Sequence, residues 1–192
     1  MMTTGAPARE VEQFMEQFDR VQSHLAEVSP AWLMDVRREA IAEFASKGLP
    51  NAKVEAWRQT SVAAIKSTIF SASHAAELSG DEKQFLEQHM ILSADEAIRV
   101  VMINGKVDPT LSSASLCTDS VQVMPLAEVL RDEPSLLQPY LGKIARIDDS
   151  PFTALNTALF EDGLVVWIKG AKLIERPIYL VHMTSSAEQT VA

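Results

Sequence analysis

The sequence has a single cysteine, Cys117, and only four histidines, His24, His74, His89 and His182, in 192 residues. A lone thiol excludes an internal disulfide, and no Cys-x-x-Cys or His-x-x-x-His spacing that would mark a metal site occurs. Positive charge is also scarce. Seventeen Lys plus Arg stand against 26 Asp plus Glu, a formal charge of −9, which argues against a binder of phosphate backbones, since such proteins need a basic face. No apolar run approaches the roughly 20 residues of a membrane helix. The stretch from Met1 to Glu10 has neither the basic start nor the apolar centre of a signal peptide. The expectation is a cytoplasmic protein with neither nucleic acid nor membrane among its partners.

Catalytic motifs are missing as well. Gly105-Lys106 and Gly142-Lys143 fail as phosphate loops, because Val100 and Leu137 stand where the first glycine belongs and Val107 and Ile144 where Ser or Thr belongs. No Ser or Cys sits in a Gly-x-Ser-x-Gly elbow. The acids Asp148 and Asp149 precede Ser150-Pro151 and read as favourable charge at a helix N-terminus. The histidines read as surface or satisfied core residues, and the reactivity of Cys117 depends on surroundings that sequence does not show.

What is present is 47% apolar residues, enough for one core or for one domain and the start of another. Val11, Phe14, Met15, Phe18, Val21, Leu25 and Val28 recur at steps of three and four and predict a first helix ending near Ser29-Pro30. Ser29 is expected to cap a second helix with Pro30 at its first position and an apolar face of Leu33, Val36, Ala40, Ile41 and Phe44, stopped by Gly48-Leu49-Pro50. The two are expected to pack as an antiparallel pair. Ser61 to Phe70 reads as a short helix bearing Val62, Ile65 and Ile69, Ser71 to Ser79 as a surface loop, and Asp81 to Leu92 as a further helix after a break at Gly80.

From Ile98 the pattern becomes extended. Ile98 to Ile103 is a nearly continuous apolar strand, and Asn104-Gly105 a two-residue hairpin turn into Lys106-Val107. Thr110 to Ser120 reads as loop, Val121 to Val123 as a short strand, and Leu126 to Arg131 and Pro134 to Leu141 as short helical pieces. Ser150 caps a helix that starts at Pro151 and carries Phe152, Leu155 and Leu159 on one face, and Asp162-Gly163 makes a turn. Leu164 to Ile168 and Ile178 to Val181 follow as strands joined through Lys169 to Lys172, with Pro177 before the second. Two strands alone are marginal, so the rest of their sheet must lie elsewhere.

Three stretches carry a resemblance. Leu49-Pro50 followed by Lys53, Glu55, Trp57, Arg58 and Thr60 is the first; Arg99 to Lys106 with Pro109, Leu111 and Ser112 is the second. Phe152 to Asn156, the Asp162-Gly163 turn, Val165 to Ile168, and Glu175, Pro177 and Ile178 form the third. In this order they resemble the SufB/SufD family of iron–sulfur cluster assembly scaffolds, and the Trp57 motif is similar to that of its SufD branch. Val54, Ala56 and Gln59 depart from the polar and aromatic residues common at those places. The residues themselves read Trp57 as a core anchor, with Glu55 and the flanking cations as a local ion-pair cluster.

The resemblance implies an α+β fold: a mainly helical N-terminal region (1–97), a small mixed region (98–149), and from 150 to 192 the first strands of a right-handed parallel β-helix, cut short. It implies a non-enzymatic part of a longer scaffold subunit that works with a SufB-like subunit and a SufC-like ATPase. This segment would hold no cofactor, catalytic group or metal, the iron–sulfur cluster belonging to the full complex. The family motif residues Leu49, Pro50, Lys53, Glu55, Trp57, Arg58, Thr60, Phe152, Asn156, Asp162, Gly163 and Pro177 are then expected to serve structure. The rival reading is an independent interaction module, in which the first two helices dock a partner helix. Strands left without neighbours at the C-terminal end predict self-association there.

Overall fold

A computed structural model describes residues 9–70, 77–113, 118–170 and 173–185. In chain order its elements are α1 (Arg9–Val28), α2 (Ala31–Lys47), α3 (Ala63–Ser67), α4 (Gly80–His89), β1 (Ile98–Ile103), β2 (Lys106–Asp108), β3 (Val121–Pro125), α5 (Leu126–Asp132), α6 (Pro134–Leu137), α7 (Pro151–Leu159), β4 (Leu164–Ile168) and β5 (Ile178–Met183). The α+β expectation holds. The chain forms two compact units, Met1–Phe70 with Leu130–Glu161 and Ser71–Val129 with Asp162–Ala192, each drawn from two separate stretches of sequence.

The first unit is helical. The stripe of α1 buries Val11, Phe14, Phe18 and Leu25, and α2 answers with Leu33, Met34, Ala40 and Phe44. Phe14 meets Phe44 edge to face at 5.5 Å, while Phe18 shares a cluster with Ala40, so the two helices run antiparallel as the stripes predict. The start of α2 differs from expectation. Pro30 rather than Ser29 occupies the cap position and has no side-chain acceptor to offer, while the Ser29 N–H closes α1 by donating to the Leu25 carbonyl at 2.9 Å. α7 lies along α2 through small side chains: Ala154 and Ala158 are fully buried, and Ala158 joins Phe18 and Ala40 in one cluster. The face expected to lead, Phe152, Leu155 and Leu159, packs instead as partly buried residues against the Val11, Phe14 and Phe44 core. Ser150 caps α7 as expected, its hydroxyl accepting from the Phe152 N–H at 3.2 Å. Gly142 has φ 75°, and a Cβ there would come within 2.8 Å of Val36, so no other residue fits this turn without displacement.

The helix expected over Ser61 to Phe70 shrinks to the five residues of α3. Ser67 and Thr68 donate their hydroxyls to the Ala63 and Ala64 carbonyls, at 3.2 and 2.7 Å, and the backbone turns extended at Thr68. Ile69 is left 81% exposed. α4 begins at Gly80, so that glycine opens the helix rather than breaking the chain before it. Ser79 and Glu82 close a capping box in which the Ser79 N–H donates to Glu82 Oε2 at 2.8 Å. Most of the loop expected over Ser71 to Ser79, residues 71–76, lies outside the described residues, and Leu78 at its end is buried.

The second unit is built on β1, whose two faces serve two cores. Ile98, Val100 and Met102 pack with Val121 and Val123, whereas Val101 and Ile103 pack with Leu78 and Leu86. That explains its continuous apolar run. The hairpin forms as predicted: Asn104 (φ 49°) and Gly105 (φ 82°) turn β1 into antiparallel β2, pairing Ile103 with Lys106. β2 is short, and serines finish its work. Ser113 Oγ accepts from the Arg99 N–H at 2.9 Å and Ser112 Oγ from the Val101 N–H at 3.0 Å, so these two lie in the expected loop but are buried against the edge of β1.

β4 and β5 do not pair with each other. β4 joins β3 in an antiparallel two-stranded sheet, Val121 opposite Ile168, and β5 joins β1 in parallel, Ile98 opposite Ile178 through Ile103 opposite Met183. The missing neighbours of both strands thus lie earlier in the chain. A right-handed β-helix is not what these five strands display.

Candidate functional site

The Trp57 motif begins where α2 ends. Leu49 and Pro50 are buried, and Asn51 folds the backbone into a turn, its Oδ1 accepting from the Lys53 N–H at 2.9 Å and its carbonyl from the Val54 N–H at 3.0 Å. A 3-10 turn over Glu55–Trp57 follows. It swings the half-buried Trp57 onto Phe152, ring centroids 5.1 Å apart and tilted by 45°, and both rings pack against the core of Val11, Phe14, Phe44, Leu49, Val62 and Ala154. The anchor reading of Trp57 is what the structure displays. Lys53, Glu55, Arg58 and Thr60 are exposed, and Arg58 reaches Glu55 at 3.5 Å, a solvated pair that contributes little to stability.

The other motif residues serve different places. Asn156 is exposed on α7. Asp162 supports the start of α5: its Oδ1 accepts from the Ala127 N–H at 2.9 Å and from the Gly163 N–H at 2.8 Å, while the Gly163 carbonyl accepts from the Leu126 N–H. A Cβ on Gly163 would stand 3.3 Å from Leu126, which is tight. The exposed Pro177 offers its carbonyl to the Ile98 N–H at 2.8 Å, the first rung before the β1–β5 ladder. Leu49, Trp57 and Phe152 are therefore brought together; Asp162, Gly163 and Pro177 are not part of that cluster.

Sequence reasoning missed Arg37. It is 1% exposed, and its Nη1 donates to the Ala158 carbonyl at 3.1 Å and, at the 3.5 Å limit, to that of Thr157, in the last turn of α7 where unpaired carbonyls concentrate negative charge. Its guanidinium carbon lies 4.0 Å from the centre of the Phe160 ring. Burial pulls its pKa down to about 10 against an opposing pull from Glu161, and it remains a cation at neutral pH. Among the described residues its Nε has no hydrogen-bond partner. The signal was in the spacing: Leu33, Arg37, Ala40 and Phe44 follow steps of four, three and four along the buried stripe.

Among the described residues, no group of three or more His, Cys, Asp or Glu lies close enough to hold a metal ion. Cys117 and His74 lie outside them. His24 and His182 are exposed, and His89 stacks on Phe85 at 4.1 Å. Asp148 takes a hydrogen bond from Arg146 Nε at 2.9 Å, and this holds its carboxyl below the usual range. No described helix is long and apolar enough to cross a membrane.

Fold and contacts together define an α+β protein in which Leu49, Trp57 and Phe152 pack on the helical core while the charged residues around Trp57 face solvent. The family model described as the SufBD protein N-terminal region matches residues 8–180, and the chain belongs to that family. It is 28% identical over 165 residues to a chloroplastic iron–sulfur cluster assembly SufBD family protein of Arabidopsis thaliana, covering 80% of this chain and 29% of the relative. A SufBD family protein of Synechocystis sp. is 28% identical over 153 residues, covering 79% of this chain and 32% of its own. A second Synechocystis relative reaches 41% identity over 78 residues, 36% of this chain and 16% of that protein. The chain thus spans about a third or less of the length of these relatives.

Proposed function

We propose that the chain is the N-terminal region of a SufD-like scaffold subunit that takes part in iron–sulfur cluster assembly. The observation that carries this reading is the family match across residues 8–180, to relatives that are named for that process. The assignment to the SufD branch rests on the Leu49 to Thr60 motif, and the structure gives it a physical role in joining Leu49, Trp57 and Phe152. On this reading the segment is non-enzymatic and holds no cofactor itself, and the cluster is the product of a cytoplasmic complex with a SufB-like subunit and a SufC-like ATPase.

The test is affinity purification of the native protein from its own cells without oxygen, reading intact masses of the bait and of everything bound. A SufB-like protein and an ATPase at fixed stoichiometry are the expected companions. Purification without either, together with unchanged activity of iron–sulfur enzymes when the gene is deleted, would leave the interaction-module reading in its place.

A further inference from the structure

The last described residue, Ser185, is buried, and its N–H, carbonyl and hydroxyl are all engaged. Its N–H donates to Asn104 Oδ1 at 2.8 Å, and its carbonyl accepts from Asn104 Nδ2 at 2.8 Å, so one side-chain amide imitates a rung of a β-ladder. Its hydroxyl donates to Glu82 Oε1 at 2.7 Å. The other oxygen of that carboxylate, Oε2, closes the capping box of α4 by accepting from Ser79. Asn104 in turn sits at the hairpin turn, and its own N–H donates to the Met183 carbonyl at 3.0 Å.

The hairpin does not need that side chain. Glycine serves the positive φ of the turn equally well, and the capping box needs only one of the two Glu82 oxygens. What the extra bonds do is hold β5. Among the described residues that strand pairs with β1 on one side only, and Leu180 is 41% exposed, so its ladder and packing alone give it modest protection.

We infer that Asn104, Glu82 and Ser185 form a latch that keeps β5 on β1 and ties the chain leaving β5 to the hairpin turn and to the start of α4. With the latch closed, a pull on the chain beyond Ser185 is borne by three elements. With it open, β5 detaches as a local unit while the β1–β2 hairpin and α4 stay folded.

Hydrogen exchange on the whole protein reads this directly. Asn104→Gly keeps the turn and deletes both amide bonds; the amides of residues 179–183 and Ser185 are expected to exchange about tenfold faster, the equivalent of two modest hydrogen bonds. Amides of β3, β4 and α4 are expected to keep their rates. Ser185→Ala removes only the hydroxyl arm, with a smaller acceleration confined to the same residues, and serves as the test if the glycine variant does not fold. Unchanged exchange in β5 would overturn the latch, and so would equal acceleration across β1, β5 and α4, since Asn104 would then support the whole unit rather than hold one strand.

Discussion

The two units treat buried polar groups in opposite ways. Among the described residues the helical unit buries one cation, Arg37, with an Nε that lacks a partner, and one hydroxyl, Thr157, in a core whose largest fully buried apolar side chains are Phe14, Phe44, Leu25 and Leu33. The strand unit buries Asn104, Ser112 and Ser113 with their side chains bonded to backbone, and Ser185 with its hydroxyl on the Glu82 carboxylate. Helices satisfy their own backbone and can spend the interior on apolar packing, whereas short strands leave rungs open that side chains must fill. Stability of the first unit should therefore follow volume, and that of the second should follow hydrogen bonds.

Phe44→Ala is the strongest challenge to this contrast. It removes a fully buried ring that touches Phe14, and a loss of about 3–5 kcal/mol in unfolding free energy is expected from denaturant titration. Arg37 comes next and separates charge from volume. Arg37→Ala should cost about 2–4 kcal/mol, since it leaves both a cavity and the α7 carbonyls without their donor. Arg37→Met, which fills the space without burying a cation, should stay within about 1.5 kcal/mol of the parent. If both variants lose stability equally, the guanidinium is holding α7 by its bonds and the first unit is less purely a packed core than the comparison holds.

In the strand unit, Ser79→Ala should cost about 1 kcal/mol by opening the capping box, read as a lower denaturation midpoint. Glu82 adds a pH test. Hydrogen bonds from Ser185 and then Ser79 hold its carboxyl below the usual range in the folded state, so its contribution is complete above the unfolded value of 4.5 and fades as pH falls through the lower folded value. The stability gap between the parent and Glu82→Gln should narrow on acidification, and a gap that does not change with pH would contradict the bond pattern. The smallest effect belongs to Arg58→Ala. Its pair with Glu55 is solvated, and a change within about 0.5 kcal/mol is expected.

Local order was legible in the sequence wherever the deciding forces were local. The stripe of α1, the Ser150 cap, the Asn104-Gly105 turn and the apolar run of β1 all formed where periodicity and capping placed them. Partner choice was not legible, because β5 finds β1 some 80 residues away and β4 finds β3 across α5, α6 and α7. The Trp57 anchor was readable as a type, but its contact with Phe152 spans 95 residues. Ser112 and Ser113 are loop residues as their composition predicts, but that their hydroxyls are buried against β1 was not legible, since a hydroxyl has no periodicity to betray it.

Those two serines bear on more than the stability of one sheet. β2 covers β1 only from Val101 to Ile103, so the Arg99 end of that side would otherwise present an open row of backbone donors and acceptors. Ser113 occupies both the N–H and the carbonyl of Arg99, at 2.9 and 2.8 Å, and Ser112 occupies the N–H of Val101. A strand from another molecule finds these rungs occupied, and the largely buried strand β1 is closed to templated misassembly along that border.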